Sequence, residues 1–461
     1  MIKEGAGMLY FREREKKKLQ DFLAGTGRAM AIYGRRRTGK TELILDHLAN
    51  NANRDVAYYQ CASFDYSTCL RDLTAVLEAY LPGDMIIRSL TSFKDVFTYI
   101  SSRQTGLRAI VIDEFPFLAK KNENVPVEFQ WIIDHGLDGL KLILLGSNLS
   151  FMKKQINDSE SPLYGRFDEI IEILPFRFNE VSSLFPKFSE AVDVYAQTGG
   201  VAQYVMMYRS CETVEAATRS LYFDKNGRLF QEAGNLLMQE LRDVTVYTRI
   251  LRAIGGREKT SGQIAAACAL DQRGVFAYLN KLIDLDIVAA SENPLSAKRS
   301  EKRYKIKDNL FRFSYTFIEP NISMITAIGE RSAEYILDTS YSEYLGFVYE
   351  EIIKENCFDY AVKGIIPFMP ETVSKWWGNI KDGNEWKESE VDLIAYNNNK
   401  IVVGECKYRN KAAGIKELDS FKKKAAFIPV KNREIYYLIA SKSGFTDELA
   451  ERKDVILIKE A

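Results

Sequence analysis

AMAIYGRRRTGKTELILDHLAN, residues 29–50, decides the fold of everything around it. The stretch opens as an apolar run, reaches Gly34, and resumes at Thr41 with the pattern of a helix. Between the two, GRRRTGKT (34–41) satisfies G-x-x-x-x-G-K-[ST] at every fixed position. A strand that feeds a helix through such a loop is the context that gives the motif its chemistry. Gly34 and Gly39 let backbone N–H groups turn inward around a polyphosphate, and the helix N-terminus adds partial positive charge. Lys40 is expected to reach the β- and γ-phosphates of ATP, and Thr41 to offer its hydroxyl to Mg²⁺. Arg35, Arg36, Arg37 and Thr38 complete the nucleotide-binding loop, although the three arginine side chains also suit solvated or acid-paired roles.

Outward from this loop, residues 8–180 alternate short β-branched runs with helical patterns, which predicts a parallel α/β sheet covered on both faces. The expected strands are 29–34, 56–62, 109–115, 141–147 and 169–176. AIVIDEFPFL (109–118) ends a buried strand in two acids. Asp113 is expected to hold Mg²⁺ and Glu114 to polarise the attacking water. KLILLGSNLS (141–150) places Ser147 and Asn148 where a polar side chain can sense the γ-phosphate, and turn chemistry alone selects the same residues. SPLYGRF (161–167) offers Arg166 as an arginine finger or as an ordinary surface cation.

These motifs resemble those of the archaeal-type AAA-like ATPases that also occur in bacteria, close to the STAND class. The resemblance rests on FREREKKKLQ (11–20), GRRRTGKT, IDEFPFL, LILLGSN, SPLYGRF and QTGGVAQY (197–204). It implies an additional-strand P-loop core, Glu114 as the catalytic glutamate, a polar sensor after the fourth strand, and Arg166 approaching a nucleotide in cis or in trans. In the glycine-rich segment Ala202 stands where the family has proline, so no nucleotide contact is carried over there.

The rest of the chain reads as four further segments: a helical lid or connector (181–244), a winged helix (245–308), a helical connector (309–340) and a C-terminal α/β domain (341–461). The winged helix follows from three short helices and a β-hairpin, and its loop SAKRSEKRYKIK (296–307) is basic. Lys298, Arg299, Lys302, Arg303 and Lys305 could meet DNA phosphates, or serve as a solvated charge run. In the C-terminal segment EVDLIAYNNNKIVVGECKYR (390–409), period-2 alternation puts Glu405 and Lys407 on one face, with Asp392 on the preceding strand. Two carboxylates and a lysine suit Mg²⁺-dependent phosphodiester hydrolysis, with Asp392 and Glu405 as metal ligands. The spacing resembles restriction-endonuclease-like PD-(D/E)xK domains, which implies a catalytic set of Glu350, Asp392, Glu405 and Lys407. No proline precedes Asp392.

Bulk composition excludes several classes. The chain has 461 residues, with 63 basic and 63 acidic side chains, so DNA contact must come from local patches. Two histidines leave little room for zinc or Ser-His-Asp chemistry, and six scattered cysteines suit a reducing cytoplasm. No signal peptide and no membrane span is expected. Two functions compete. One is an ATPase switch that drives a DNA-acting, nuclease-like module. The other is an ATP-gated regulator or scaffold that binds protein or DNA without cutting. The reading allows a homo-oligomer, and the absence of a pore-loop signature disfavours an unfoldase ring.

Overall fold

The computed structural model describes residues 10–50, 55–241, 243–295, 302–338, 340–382, 385–430 and 432–459. The chain divides into two compact units, Met1–Phe176 with Val201–Tyr204, and Arg177–Gly200 with Val205–Ala461. Among the described residues no helix is long and apolar enough to cross a membrane.

The first unit is built on β1 (Ala29–Tyr33), β2 (Val56–Gln60), β3 (Ala109–Asp113), β4 (Lys141–Gly146) and β5 (Glu169–Glu172). All neighbours run parallel, in the order β2-β3-β4-β1-β5. The continuous apolar runs have their expected cause. On β1, Ala29 and Ala31 enter one hydrophobic cluster, while Met30 and Ile32 enter the other. The first cluster includes Phe97 and Phe129 from helices Phe93–Ser101 and Asn124–His135. The second includes Leu19, Phe22, Leu43 and Ile44 from helices Glu13–Ala24 and Lys40–Asn50. Burial of each large apolar side chain contributes roughly 1.5–3 kcal/mol. Because β4 lies between β1 and β3, the strand carrying Asp113 is separated by one strand from the one feeding the glycine loop.

In the second unit, helices Thr245–Ile254, Ser261–Ala267 and Gln272–Asp284 share a core with a small antiparallel sheet. That sheet has the order β6-β8-β7, with β6 at Lys259–Thr260, β7 at Val288–Ser291 and β8 at Arg303–Ile306. Two-residue β6 is too short to leave a sequence pattern, so only the β7–β8 hairpin was legible. The segment 181–244 does not stand alone: Val201–Tyr204 joins the first unit and the rest joins the second.

Helix Ser340–Glu355 leads into a five-stranded mixed sheet, in the order β13-β12-β11-β10-β9. Its strands are β9 (Thr372–Asp382), β10 (Glu385–Tyr396), β11 (Lys400–Lys407), β12 (Glu434–Ser441) and β13 (Ile456–Ile458). β9, β10 and β11 pair antiparallel, whereas β11, β12 and β13 pair parallel. Val391 faces Trp376 and Ile394 faces Ser374, so β10 holds one extra residue in between. Asp392 sits in this bulge, a device that redirects a side chain.

Candidate active site

The glycine loop leaves β1 at Gly34, whose φ is +157°. A Cβ there would lie 2.3 Å from the Ile173 carbonyl oxygen, because the chain beyond β5 presses on the loop. Gly39, at φ +101°, makes the second turn and delivers Lys40 to the first position of its helix. The Lys40 ammonium is buried and donates to the carbonyls of Gly34 at 3.0 Å and Arg35 at 2.7 Å. Burial pulls the ammonium down to about 8, against the opposing influence of Glu114 and Asp113. A cation so desolvated gains from a polyanion that replaces the two neutral acceptors.

Asp113 ends β3 and is almost fully buried. Thr41 Oγ1 donates to its Oδ2 at 2.7 Å, and the Tyr58 hydroxyl donates to the same oxygen at 2.8 Å. Hydroxyl and carboxylate oxygens side by side are the donor set of a hard divalent cation. Thr41 and Asp113 therefore fit Mg²⁺. Glu114 adopts a left-handed conformation, φ 54° and ψ 42°, uncommon for a residue with a side chain. Its N–H donates to Asp113 Oδ1 at 2.8 Å, which supports the turn. Ser147 Oγ lies 2.7 Å from each Glu114 carboxylate oxygen, and the Ser147 N–H lies 3.3 Å from Oε2. Lys40, Thr41, Asp113, Glu114 and Ser147 thus meet at the carboxyl edge of the sheet. Asn148 does not join them: its side chain accepts from the Phe151 N–H at 2.9 Å and caps the helix Leu149–Asn157.

Arg166 also departs from expectation. Its Nε donates to Asp134 at 3.2 Å, and the Asp134 carbonyl accepts from Arg28 at the start of β1. Arg166 precedes β5, which runs parallel to β1, so it lies at the amino edge of the sheet. The glycine loop is on the opposite edge, about 15 Å away by strand rise. An approach to its own nucleotide is corrected by this geometry.

Other residues brace the loop that sequence reasoning assigned no role. Arg12 donates to the Thr38 carbonyl at 3.1 Å and the Leu174 carbonyl at 2.7 Å. The Gln203 N–H donates to the Arg37 carbonyl at 3.1 Å, and the Arg37 guanidinium lies 5.4 Å from the Tyr204 ring centre. Arg36 lies over Phe117, 6.0 Å from its centre. Arg12, Gln203 and Tyr204 belong to the quoted FREREKKKLQ and QTGGVAQY segments, so the motif was visible and the contact was not.

In the second unit, the Glu405 carboxylate is bracketed by Lys407 and Lys424, each at 2.7 Å. Asp392 accepts from the Cys406 N–H at 2.9 Å. Its carboxyl is pushed up, first by burial and then by Glu405. Glu350 is pushed up to about 8 by burial and then by Asp392, with Lys375 at 3.9 Å. Asp392 is the meeting point of two pairs. Glu405 and Lys407 share the face of β11 that packs Ile401 and Val403 against Phe421, whereas the helix bearing Glu350 covers the face of Leu393 and Val402. Among the described residues no group of three His, Cys, Asp or Glu side chains is arranged to hold a metal ion.

The basic loop expected to meet DNA is largely engaged within the chain. Arg303 pairs with Glu388, Lys305 with Glu351 at 2.6 Å, and Lys302 with Glu292 at 2.8 Å. Lys298 and Arg299 lie outside the described residues.

Residues 9–208 match the model of an ATPase domain predominantly from Archaea, and residues 314–434 match a family described as archaea bacterial proteins of unknown function. The uncharacterized protein MJECL04 of Methanocaldococcus jannaschii is 31% identical over 451 residues, covering 94% of this chain and 96% of that protein. Among solved structures, the Walker-type ATPase paby2304 of Pyrococcus abyssi matches 68% of this chain and 99% of its own, with TM-score 0.50 and 19% identity. The ORC2 protein of Aeropyrum pernix matches 69% of this chain and 94% of its own, with TM-score 0.45 and 14% identity. With the glycine loop, the paired acids and the parallel sheet in place, the chain belongs to the same family as the Methanocaldococcus protein, and it carries an ATPase domain of the predominantly archaeal type ahead of the region that matches the family of unknown function.

Proposed function

We propose that the chain hydrolyses ATP and uses the cycle to govern its C-terminal module, which acts on DNA. The observation that carries this reading is the 2.7 Å contact of Thr41 with Asp113 beside a buried, carbonyl-held Lys40. Lys40 neutralises phosphate charge, and Glu114, held by Ser147, polarises the attacking water. Thr41 and Asp113 would hold Mg²⁺, which supplies charge neutralisation at the phosphates. Arg166 retains a catalytic part only toward the nucleotide of another copy. Glu114→Gln should retain ATP binding and stall phosphate release. Full turnover by that variant would remove Glu114 from its role.

In this reading residues 245–308 form a winged helix, with Gln272, Arg273 and Asn280 exposed on helix Gln272–Asp284, and 341–461 form a PD-(D/E)xK-like domain. Cleavage would use Asp392 and Glu405 as ligands of Mg²⁺, with Lys407 orienting water and Glu350 behind Asp392. A second reading, a regulator or scaffold that binds without cutting, is favoured by one contact: both oxygens of Glu405 are already held by lysines. Plasmid and linear DNA digestion with Mg²⁺ or Mn²⁺ separates the two. Loss of cleavage in Asp392→Ala and Lys407→Ala supports the nuclease, and no cleavage by the wild type supports the regulator.

A further inference from the structure

Helix Ser340–Glu355 carries, one residue after Glu350, an acid with a different neighbourhood. Glu351 accepts from Lys305 at 2.6 Å and from Lys354 at 2.5 Å. Arg312 acts on the same carboxylate through space, so three cations crowd one acid. Lys305 feels the crowding: burial lowers its affinity for a proton, and Lys354 and Arg312 lower it further.

Arg312 is the cation of the three that has no direct hydrogen bond to Glu351. It is 4% exposed, and its Nε donates to the Ile306 carbonyl at 2.8 Å. Among the described residues, no other hydrogen bond and no ion pair falls on its guanidinium. The side chain lines a cavity of about 260 Å³ that Lys305 and Lys375 also line. The other charges of this wall are largely matched. Arg257 pairs with Glu343 at 2.6 Å, and Lys375 pairs with Glu390 at 3.1 Å. Arg303 pairs with Glu388 and stands 3.9 Å from Glu390. Glu258 acts through space on Lys354 and Lys375, and Glu350 stands 3.9 Å from Lys375. A buried guanidinium that faces a cavity and shares its nearby carboxylate with two ammonium groups keeps N–H groups free to donate to a further anion.

We propose that this cavity is a phosphate-binding site, with the Arg312 fork as its main donor and Lys305 and Lys375 flanking it. A planar fork presents paired N–H groups to two phosphate oxygens. The phosphate comes either from a small molecule or from the end of a nucleic-acid strand. The site is separate from the glycine loop, and it holds whether or not Asp392 and Glu405 support cleavage.

The test uses the full chain carrying Lys40→Ala, so that the glycine loop does not report. Fluorescence anisotropy compares single-stranded oligonucleotides with a 5′-phosphate and a 5′-hydroxyl, and thermal unfolding is followed with inorganic phosphate. A preference of about tenfold for the 5′-phosphate, lost on adding Arg312→Gln, supports the site with a strand end as source. Protection by inorganic phosphate that Arg312→Gln removes, without a preference between oligonucleotides, supports it with a small molecule as source. Equal binding of both oligonucleotides together with no phosphate protection overturns it, as does either effect surviving Arg312→Gln. If Arg312→Gln does not fold, Arg312→Lys, which keeps the charge and gives up the planar fork, takes its place. A loss of about threefold then supports the site, and no change overturns it.

Discussion

Replacing Ser147 by alanine tests how Glu114 is aimed. Ser147 is 5% exposed, and its hydroxyl approaches both oxygens of Glu114 at 2.7 Å. The substitution removes one short hydrogen bond to a charged group, worth about 1.5–3 kcal/mol. The Ser147 N–H, at 3.3 Å, survives and retains part of the alignment. If that energy serves to orient the carboxylate toward water, kcat falls by about ten- to a hundredfold. KM for ATP stays within about twofold, because Ser147 has no hydrogen bond to Lys40 or Thr41. Steady-state phosphate release over a range of ATP concentrations separates the two parameters. Ser147→Thr keeps the hydroxyl and should recover most of the loss. An unchanged kcat in Ser147→Ala, or a loss confined to KM, would refute the positioning role.

Three further outcomes follow from the same geometry. Lys40 titrates near 8 in the ligand-free protein, and bound phosphates raise that value, so ATP affinity is level below pH 8 and falls up to about tenfold per pH unit above it. Isothermal titration from pH 7 to 9.5 checks this, and a flat profile contradicts it. Gly34→Ala puts a Cβ 2.3 Å from the Ile173 carbonyl, which should cost about 2–4 kcal/mol of stability and show as a lowered thermal midpoint. Arg166→Ala should leave ATP affinity unchanged, because its side chain is on the far edge of the sheet. Any loss of turnover should appear only at protein concentrations where copies associate, and a loss at high dilution would contradict that placement.

The legible part of the site is the part whose geometry is local. Gly34, Gly39, Lys40 and Thr41 lie in one loop, so their placement together needs only the turn at the glycines and the start of a helix. Asp113 and Glu114 were legible because an apolar strand that stops in two acids must present them at its carboxyl edge. Tyr58 was not, since its hydroxyl reaches Asp113 only through the register of β2 on β3, where Gln60 faces Asp113. Arg166 shows an inference that parallel topology corrects: a residue before a strand lies at the amino edge, away from the loops that follow strands. The basic loop misled for another reason. The acids that neutralise Arg303 and Lys305 come from β10 and from helix Ser340–Glu355, more than forty residues away in sequence. The bulge at Asp392 leaves no mark in the alternation of VDLIAY, yet it puts that carboxylate between Glu350 and Glu405.

Binding of a fluorescent ATP analogue in the presence of Mg²⁺, by the wild-type chain and by Lys40→Ala, tests the central claim most directly. Saturable binding by the wild type, weakened at least about a hundredfold in the variant, is the predicted result. Equal binding by both proteins, or none by the wild type, would contradict the assignment of residues 34–41 as the nucleotide site.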